Sequence, residues 1–565
     1  MKKLVIFLIT VLVVMTANAQ DVVLDWAKQM GGINSDNGYS LVVDAEGNVY
    51  TTGYFFDTVD FDPGVGIFNI TSNGSADVFI TKLDASGNFV WAKNLGGPQA
   101  DYGLAIALDT TGNIYTTGFF VGTSDFDPNA GIFNLTSTNG GTFISKLDAS
   151  GNFVWAKQIE SPSDFNIGVA LALDVSGNVY TTGYFDGVAD FDPSASTFNL
   201  TSSGNYDIFI LKLDVAGNFL WAKRMGGIDD DSGVDIKVDD SGSNVYATGE
   251  FRSTVDFDPN AGVFNLTSSG SRDIYISKLN ASGNFVWAKK IGGSGADRGH
   301  SIAIDNTNNY VYIAGEFDGT TDFDPGAGVN NLTTSGGQDS FVLKLDISGN
   351  FVWARGMGGT DPEEPANCIQ LDSAGDVIVT GWFAGTSDFN PGIDIYNLSS
   401  AGENDAYIAK LDAMGNFVWA KRLGGTSYDD AWSVALDSFD NIYTIGSFSD
   451  TVDFDPGIGV LNLTSAGDND VFIHKMRPEN LGISENIIGE HFKMYPNPTS
   501  GILYIIGEVN NLTQIEIYSI TGQKVMDVKN NFSEINIDEL RSAIYFVKLY
   551  SQEGTATFKI IKEQI

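Results

Sequence analysis

The chain has 565 residues, among them 65 glycines and 12% aromatic residues, and its formal net charge is −40. This length exceeds one ordinary hydrophobic core, and the glycine and aromatic content favours many short strands joined by tight turns over helices. The charge excludes nucleic acid and anionic lipid as partners because both would be repelled, and the single cysteine, Cys368, excludes an intrachain disulfide.

Residues 1–19 have the features of a signal peptide. Lys2 and Lys3 precede an apolar stretch that ends in the small-residue cleavage motif A-N-A. The mature chain is therefore predicted to begin at Gln20. The apolar stretch is too short for a stable membrane span and no later segment reaches that length, so we expect no transmembrane span in the mature chain.

One tryptophan recurs seven times, always followed by Ala-Lys or Ala-Arg. A near-constant interval of this size predicts one structural unit that is copied along an array. The side chain is expected to pack between neighbouring units and not to stack on a ligand. The seven residues are Trp26, Trp91, Trp155, Trp221, Trp287, Trp353 and Trp419.

The third copy shows the content of one unit. Four strands are predicted over Val169 to Asp174, Val179 to Tyr184, Phe209 to Asp214 and Phe219 to Lys223, with a long connection between the second and the third. The short turns have the form D-x-x-G-N, which suits a type I turn followed by glycine in the left-handed region. Four antiparallel strands per unit are the build of a propeller blade.

Counting strands predicts how the array ends. The third-strand phrase [FY]-[IV]-x-K-[LM] occurs seven times, and its last copy, from Phe472, has no W-A-K strand after it. Leu24 to Lys28 is such a strand with no unit before it. The predicted fold is therefore an all-β, seven-bladed propeller over residues 20–476, with seven repeats, closed by its N-terminal strand so that no sheet edge stays open.

The long connection carries the phrase D-F-[DN]-P in every copy. If it is extended, both acidic positions lie on one side and the phenylalanine on the other. Oxygen ligands at short spacing suit Ca²⁺, the one cofactor that the sequence suggests, but the full calcium-loop pattern is absent and a turn held by aspartate explains the phrase better. The candidate calcium ligands are Asp60, Asp62, Asp125, Asp127, Asp190, Asp192, Asp256, Asp258, Asp322, Asp324, Asp453 and Asp455.

The repeat phrases resemble a known family. G-N-V-Y-x-T-G, D-x-F-I-x-K-L-D-x-x-G-N-F-V-W-A-K and the following G-G are similar to the SBBP family of seven-bladed β-propeller repeats, over about residues 21–476. The resemblance implies an extracytoplasmic propeller and no defined reaction.

The composition changes at Arg477, and residues 477–491 are predicted to be a linker. Residues 492–565 contain short strand patterns that predict a small Ig-like β-sandwich. The phrases Y-P-N-P-T-S-G, I-E-I-Y-S-I-T-G-Q-K-V, A-I-Y-F-V-K-L and F-K-I-I-K resemble the type A sorting domain of type IX secretion. The resemblance implies the type IX machinery as a partner and an extracellular location, either secreted or attached to the bacterial outer-membrane surface.

Catalytic motifs give little support for an enzyme. The three histidines, His300, His474 and His491, occupy no repeated position, and His300 is expected in an exposed loop between units. No zinc, nucleophile-elbow or phosphate-loop motif occurs. Departures from the repeat are better pointers to function, and they are Trp382, Trp432, Asn390, Glu363-Glu364 and Cys368.

Three functions remain open. The favoured one is a non-catalytic binding or adhesion module for a surface glycan or protein. The alternatives are a propeller hydrolase or lyase that acts on extracellular polysaccharide through channel carboxylates, and a structural surface component.

Overall fold

The computed structural model describes residues 21–161, 165–361, 364–479, 492–507, 509–519, 524–530, 532–551 and 554–563. The predicted signal peptide, most of the predicted linker, Glu363 and His491 lie outside these residues. In the described part the chain is all-β apart from one 3₁₀ turn, Val509–Asn511. No helix there is long and apolar enough to cross a membrane. The chain divides into two compact units, of which the first is Val22–Arg477 and the second includes Pro478–Ile565.

The first unit consists of four-stranded antiparallel groups, here called sheets 1 to 7, in which the strands follow one another in space in the order first to fourth; short ladders join sheets 4, 5 and 6 into one twelve-stranded sheet. The N-terminal strand is β1 (Val22–Met30), and sheet 1 holds β2 (Asn37–Val43), β3 (Val49–Phe55), β6 (Asp77–Leu83) and β7 (Phe89–Leu95), with the ribbon β4 (Thr58–Asp60) and β5 (Asn69–Thr71). Sheet 2 holds β8 (Asp101–Leu108), β9 (Ile114–Asp125), β10 (Asn134–Leu147) and β11 (Phe153–Gln158). Sheet 3 holds β12 (Asn166–Leu173), β13 (Val179–Phe185), β16 (Asp207–Leu213) and β17 (Phe219–Met225), with the ribbon β14 (Val188–Asp190) and β15 (Asn199–Thr201).

The remaining sheets repeat this plan. Sheet 4 holds β18 (Ser232–Val238), β19 (Asn244–Phe251), β22 (Asp273–Asn280) and β23 (Phe285–Gly293), with the ribbon β20 (Thr254–Asp256) and β21 (Asn265–Thr267). Sheet 5 holds β24 (Arg298–Asp305), β25 (Tyr310–Asp322), β26 (Asn331–Asp346) and β27 (Phe351–Gly359). Sheet 6 holds β28 (Ala366–Leu371), β29 (Val377–Asp388), β30 (Asn397–Leu411) and β31 (Phe417–Leu423). Sheet 7 holds β32 (Asp429–Leu436), β33 (Ile442–Asp453) and β34 (Asn462–Pro478).

The fourth place in sheet 7 is taken by β1, which lies next to β34. Asp25 and Lys475 form an ion pair at 3.0 Å, and the Gln29 amide donates to Asp470 at 2.7 Å. Met30 also shares a buried apolar cluster with residues of both sheet 1 and sheet 7. The N-terminal strand is therefore held by pairing, charge and burial together.

Short hairpin turns follow from the D-x-x-G-N phrase. Asp84 Oδ1 accepts hydrogen bonds from the backbone N–H groups of Ser86 and Asn88, at 2.9 and 2.8 Å. Gly87 has φ +74°, a conformation that side chains disfavour, and a Cβ there would lie 3.0 Å from the Trp26 ring. These aspartates serve the turn, as predicted.

The recurring tryptophan and a neighbouring lysine join adjacent sheets. Trp221 Nε1 donates to the carbonyl of Ala281 in the turn of the next sheet, at 3.1 Å. Lys212 donates to the same carbonyl at 3.4 Å, and its ammonium lies 4.7 Å from the centre of the Tyr180 ring. The predicted packing of the tryptophan between units is confirmed, and the same indole donor bond is made by Trp26, Trp155, Trp287 and Trp353.

The second unit contains two antiparallel sheets around one apolar cluster that includes Leu503, Ile515 and Val547. One sheet has the order β35-β36-β39 and the other the order β38-β37-β40-β41. The strands are β35 (Phe492–Tyr495), β36 (Ile502–Gly507), β37 (Leu512–Ser519), β38 (Lys524–Val528), β39 (Glu534–Asn536), β40 (Ala543–Ser551) and β41 (Gly554–Lys562).

Candidate functional site

The D-F-[DN]-P phrase forms a ribbon that joins neighbouring sheets. Asp60 forms a backbone bridge with Gly31, at the end of the preceding sheet, and equivalent bridges or short ladders occur at the other copies. The Asp60 carboxylate accepts hydrogen bonds from the N–H groups of Asp62 and Phe68, at 3.1 and 2.8 Å. Phe61 is buried against the rings of Phe55 and Phe79. The phrase therefore orders the connection by itself.

The second acidic position has a comparison within the chain. Asp62 Oδ1 accepts a hydrogen bond from the N–H of Gly64 at 2.9 Å, and Asn390 Oδ1 accepts the same bond from Gly392 at 2.8 Å. An amide thus replaces the carboxylate without loss of the turn. In the described residues, no group of three or more His, Cys, Asp or Glu side chains has metal-binding geometry. These contacts favour the turn interpretation, and calcium binding stays a prediction.

A cavity of about 630 Å³ is lined by the first strand of every sheet. Each first strand has a register shift in its pairing with the second, as between Gly103 and Ala105 or between Gly299 and Ser301. The residue at the shift, for example Tyr39, His300 or Trp432, lines the cavity. Such bulges re-aim side chains and are common next to functional sites.

The cavity wall is polar on the side of sheets 4, 5 and 6. The Asp235 carboxylate accepts hydrogen bonds from the Ser301 hydroxyl at 3.0 Å and the Ile302 N–H at 2.9 Å, and it lies 3.4 Å from the Lys237 ammonium. The Cys368 thiol lies 4.0 Å from the Ser301 hydroxyl. The equivalent positions in sheets 2 and 3 carry only alanine, so the cavity has a polar and an apolar side.

The charges in this group are poorly suited to nucleophilic chemistry. Burial raises the pKa of the Cys368 thiol, which keeps it protonated at neutral pH. Burial acts to lower the pKa of Lys237, but the Asp235 carboxylate raises it beyond its usual value. The thiol is therefore not activated, and the ammonium stays charged.

An aromatic arc begins at the cavity wall and crosses sheets 7, 1, 2 and 3. Each ring contacts the next, with centroid separations from 4.7 Å for Tyr54 and Tyr102 to 6.2 Å for Tyr102 and Phe119. Its members are half-buried, so part of each ring faces solvent. The arc consists of Trp432, Tyr39, Tyr54, Tyr102, Phe119, Phe165 and Tyr184.

Sheets 4 and 5 carry charged groups where the arc would continue. Glu250 takes the place of Tyr184 in the phrase G-x-F, and Arg272 and Arg298 bind its carboxylate at 2.7 and 3.0 Å. Arg298 also binds Glu316 of its own sheet at 2.6 Å, so its guanidinium joins Glu250 of sheet 4 to Glu316 of sheet 5. Burial alone would raise the pKa of Glu316, but His300 and Arg298 hold it below its usual range.

The residues that depart from the repeat have separate positions. His300 lies in β24 and lines the cavity, so its expected place in an exposed loop is wrong; the first-strand pattern begins earlier than the turn signals indicated. Trp432 and Cys368 also line the cavity, whereas Trp382 lies half-buried in β29. Glu364 is buried between sheets, where burial raises its pKa to about 8. His474 is buried, and burial lowers its pKa to about 4.

Asp235, Lys237 and most of the aromatic arc were not predicted from the sequence. A signal for the arc is present, because the phrase G-x-F occurs in each second strand and its middle residue varies while its neighbours stay constant within the chain. A position that tolerates Tyr54, Glu250 and Ser447 in the same structural place is not needed by the scaffold. Variation at fixed register therefore marks the surface that can differ in function.

Two family models match the chain. The beta-propeller repeat model SBBP matches residues 25–54, 90–118, 286–324 and 418–447, and the model of the secretion system C-terminal sorting domain matches residues 493–563. Both resemblances inferred from motifs are confirmed. The sorting domain indicates a protein that uses the type IX secretion machinery and is secreted or attached to the outer-membrane surface.

Known relatives are distant. The chain is 24% identical over 520 residues to an uncharacterized WD repeat-containing protein of Acanthamoeba polyphaga mimivirus. The alignment covers 76% of this chain and 36% of that protein. The chain spans less than half the length of the curated relatives that it matches.

Solved structures similar to this chain include the WD40 β-propeller domain of Doa1, which is 10% identical with a TM-score of 0.38. That alignment covers 81% of this chain and 98% of the Doa1 domain. PorZ, a surface component of the type IX secretion system of Porphyromonas gingivalis, is 12% identical with a TM-score of 0.23, over 95% of this chain and 75% of that one. Both scores are low, and the fold assignment depends on strand pairing and the repeat model.

Proposed function

We propose that the protein is a non-catalytic binding module whose seven sheets close into a ring, with the cavity as its central channel. The ring is supported by the cavity, to which all seven first strands contribute, and by the position of β1 beside β34. The second unit is proposed to be an Ig-like sandwich that serves secretion. A closed ring presents loops from every sheet around one opening, which is where propellers gather binding residues.

The observation that supports the binding function most strongly is the difference between the apolar and the polar side of the channel wall. Apolar side chains line the side of sheets 2 and 3, sheets 7 and 1 add aromatic rings and the hydroxyls of Ser433 and Ser40, and charged and other hydrogen-bonding groups occupy the side of sheets 4 to 6. A cavity with a predominantly apolar wall and a few convergent polar groups is the usual form of a ligand site. Its acids and thiol are already engaged or protonated, so binding fits the site better than turnover does.

The test measures binding and turnover on the same molecules. Purified mature protein is applied to immobilised glycans and extracellular proteins, and release of new reducing ends from the glycans is followed in parallel. The proposal expects saturable binding without new ends. Tyr39→Ala, at the channel wall, should weaken binding, whereas Phe264→Ala, on an exposed ribbon ring, should leave it unchanged.

One observation favours the hydrolase alternative. Asp430 is half-buried in β32, two residues before Trp432 of the cavity wall, and burial raises its pKa to about 6, in the range that suits a general acid. Under the binding proposal, Asp430→Asn leaves glycan affinity unchanged within about twofold because the residue does no chemistry. Polysaccharide turnover by the natural protein that disappears in Asp430→Asn would instead establish the enzyme.

Calcium at the D-F-[DN]-P ribbons is proposed only as a stabilising ligand. A bound ion that prefers the folded state raises the melting temperature, so removal of the ion lowers it. A melting curve in chelator that matches the curve in added Ca²⁺ would exclude this role. A fall of several degrees in chelator would support it.

A further inference from the structure

The fold does not require aromatic residues at the positions of the arc that belong to the phrase G-x-F. Every second strand contains G-x-F, and the phenylalanine of that phrase, such as Phe55 or Phe120, is fully buried in its sheet. The preceding residue is Tyr54 or Phe119 in the arc, but Ser447 at the equivalent place in sheet 7. Since the equivalent backbone position in sheet 7 carries serine, the fold does not require an aromatic ring at this position.

The rings of the arc recur from sheet to sheet. Tyr54, Phe119 and Tyr184 occupy the same register in sheets 1, 2 and 3, and Tyr102 and Phe165 fill the gaps between them. The rings are tilted or edge-on to one another, apart from Tyr102 and Phe119, which are nearly parallel at 14°. A ligand that meets this surface therefore finds apolar ring faces and edges at repeated intervals, which suits a polymer of similar units.

The arc continues into a row of planar hydrogen-bonding groups. Tyr184 is followed by Glu250, whose carboxylate is shared by two guanidinium groups, and then by Glu316 on the next sheet. The tyrosines add hydroxyl groups that both donate and accept. A ligand must therefore offer apolar faces together with many hydroxyl edges, and pyranose rings have this combination.

The net negative charge of the protein favours neutral polysaccharides over acidic ones. The chain carries a formal net charge of −40, and the arginines near the arc are neutralised by Glu250 and Glu316. A polyanionic chain would be repelled at long range and would find no free cation in this arc-and-carboxylate row. We infer that the aromatic arc binds a neutral polysaccharide, which lies along the arc from sheet 7 to sheet 4. This inference rests on the proposed binding function and names its ligand class.

The experiment compares soluble polysaccharides by affinity electrophoresis of the full mature chain. The neutral probes are laminarin, dextran and hydroxyethylcellulose, and the acidic probes are alginate and heparin. We expect at least one neutral probe to retard the protein and both acidic probes to leave its mobility unchanged. Phe119→Ala should weaken the neutral interaction about tenfold, since one stacking ring is lost.

Two variants serve as controls. Phe119→Tyr reproduces the residue found at this register in sheets 1 and 3, so it should fold and keep the affinity. Phe133→Ala removes a ring of the same sheet that is 38% exposed and contacts Phe153 on the ribbon side, and it should also keep the affinity.

Several outcomes would overturn the inference. Neutral binding that survives Phe119→Ala, or retardation by acidic probes alone, would contradict it. Capture of a protein without any polysaccharide binding would also contradict it while leaving the proposed binding function intact. Failure to bind glycans and proteins alike would remove both.

Discussion

At the scale of the residue, the two acids of D-F-[DN]-P have different tasks. Asp60 accepts hydrogen bonds from two backbone donors, whereas Asp62 accepts one that an amide can also accept, as Asn390 does. The phrase therefore tolerates loss of charge at its second acid and not loss of the acceptor at its first. The sequence could not distinguish an aspartate that holds a turn from one that binds a metal ion, because both use the same carboxylate oxygens.

A pair of substitutions tests this division. Asp60→Ala leaves two N–H groups without their acceptor and should lower the free energy of unfolding by about 1–3 kcal/mol. Asp62→Asn should change it by less than about 0.5 kcal/mol, since the turn acceptor remains. Denaturant unfolding at neutral pH measures both. Equal losses in the two variants would show that the charge of Asp62 matters and would favour a bound cation.

Some residue contacts could be predicted from the sequence and others could not. Turn aspartates such as Asp84 and the packing of Trp221 were predictable, because local hydrogen bonding and a fixed period determine them. The grouping of Asp235 with Ser301 and Cys368 was not predictable, since these residues come from three different sheets and meet only in the folded chain. Long-range contacts of this kind leave no local periodic signal.

At the scale of the element, buried carboxyl groups lie where neighbouring sheets meet. Asp77 is the first residue of β6 in sheet 1, and it lies close to Asp101, the first residue of β8 in sheet 2. Burial raises the pKa of Asp77 to about 6 and that of Asp101 to about 7. Similar shifts, again caused first by burial, occur at Asp36, Asp231, Asp297, Asp405, Asp429 and Asp470. The interface of sheets 2 and 3 differs, with Gly141 and Asn166 in these places.

These groups predict an unusual pH dependence. Their folded-state pKa values lie above the unfolded value of about 3.9, so the folded protein binds more protons between about pH 4 and pH 7. Their contribution to stability is complete below the unfolded pKa and is lost as the pH rises through 6 to 7. The melting temperature should therefore rise by several degrees when the pH falls from about 8 to about 5.5.

A substitution that copies the third interface provides the control for the pH experiment. Asp101→Asn reproduces Asn166 and removes one titrating group, so it should reduce the rise in melting temperature on acidification. Differential scanning calorimetry of both proteins across this range gives the comparison. A melting temperature that falls steadily over the same pH interval would contradict the account.

The elements themselves were largely predictable. The predicted strands of the third copy fall within or overlap β12, β13, β16 and β17, because alternation and turn phrases are strong in this repeat. The ribbon inside the long connection was not predicted, although N-[IL]-[TS] has the alternation of a strand. Three-residue strands such as β14 depend on the bridge to the neighbouring sheet and carry too few residues for a clear periodic signal.

At the scale of the whole molecule, the protein joins a repeat unit, for which we propose a binding function, to a sorting domain for secretion. The repeat model and the sorting-domain model match separate parts of the chain, and the compact units follow the same division. The net negative charge disfavours anionic partners, while the sorting domain places the protein outside the cell. Every feature of the binding surface depends on the sheets meeting around one channel, since the aromatic arc crosses from sheet 7 to sheet 1.

Hydrogen exchange of the mature protein, followed by mass spectrometry of its peptides, tests that closure most directly. In a ring latched by β1, the amides of Val22–Met30 pair with β34 and exchange as slowly as those of β33 (Ile442–Asp453). In an open array, β34 keeps a free edge and the N-terminal segment exchanges as fast as an unstructured peptide. Slow exchange in β1 is the predicted result, and fast exchange there would contradict the ring and the binding surface built on it.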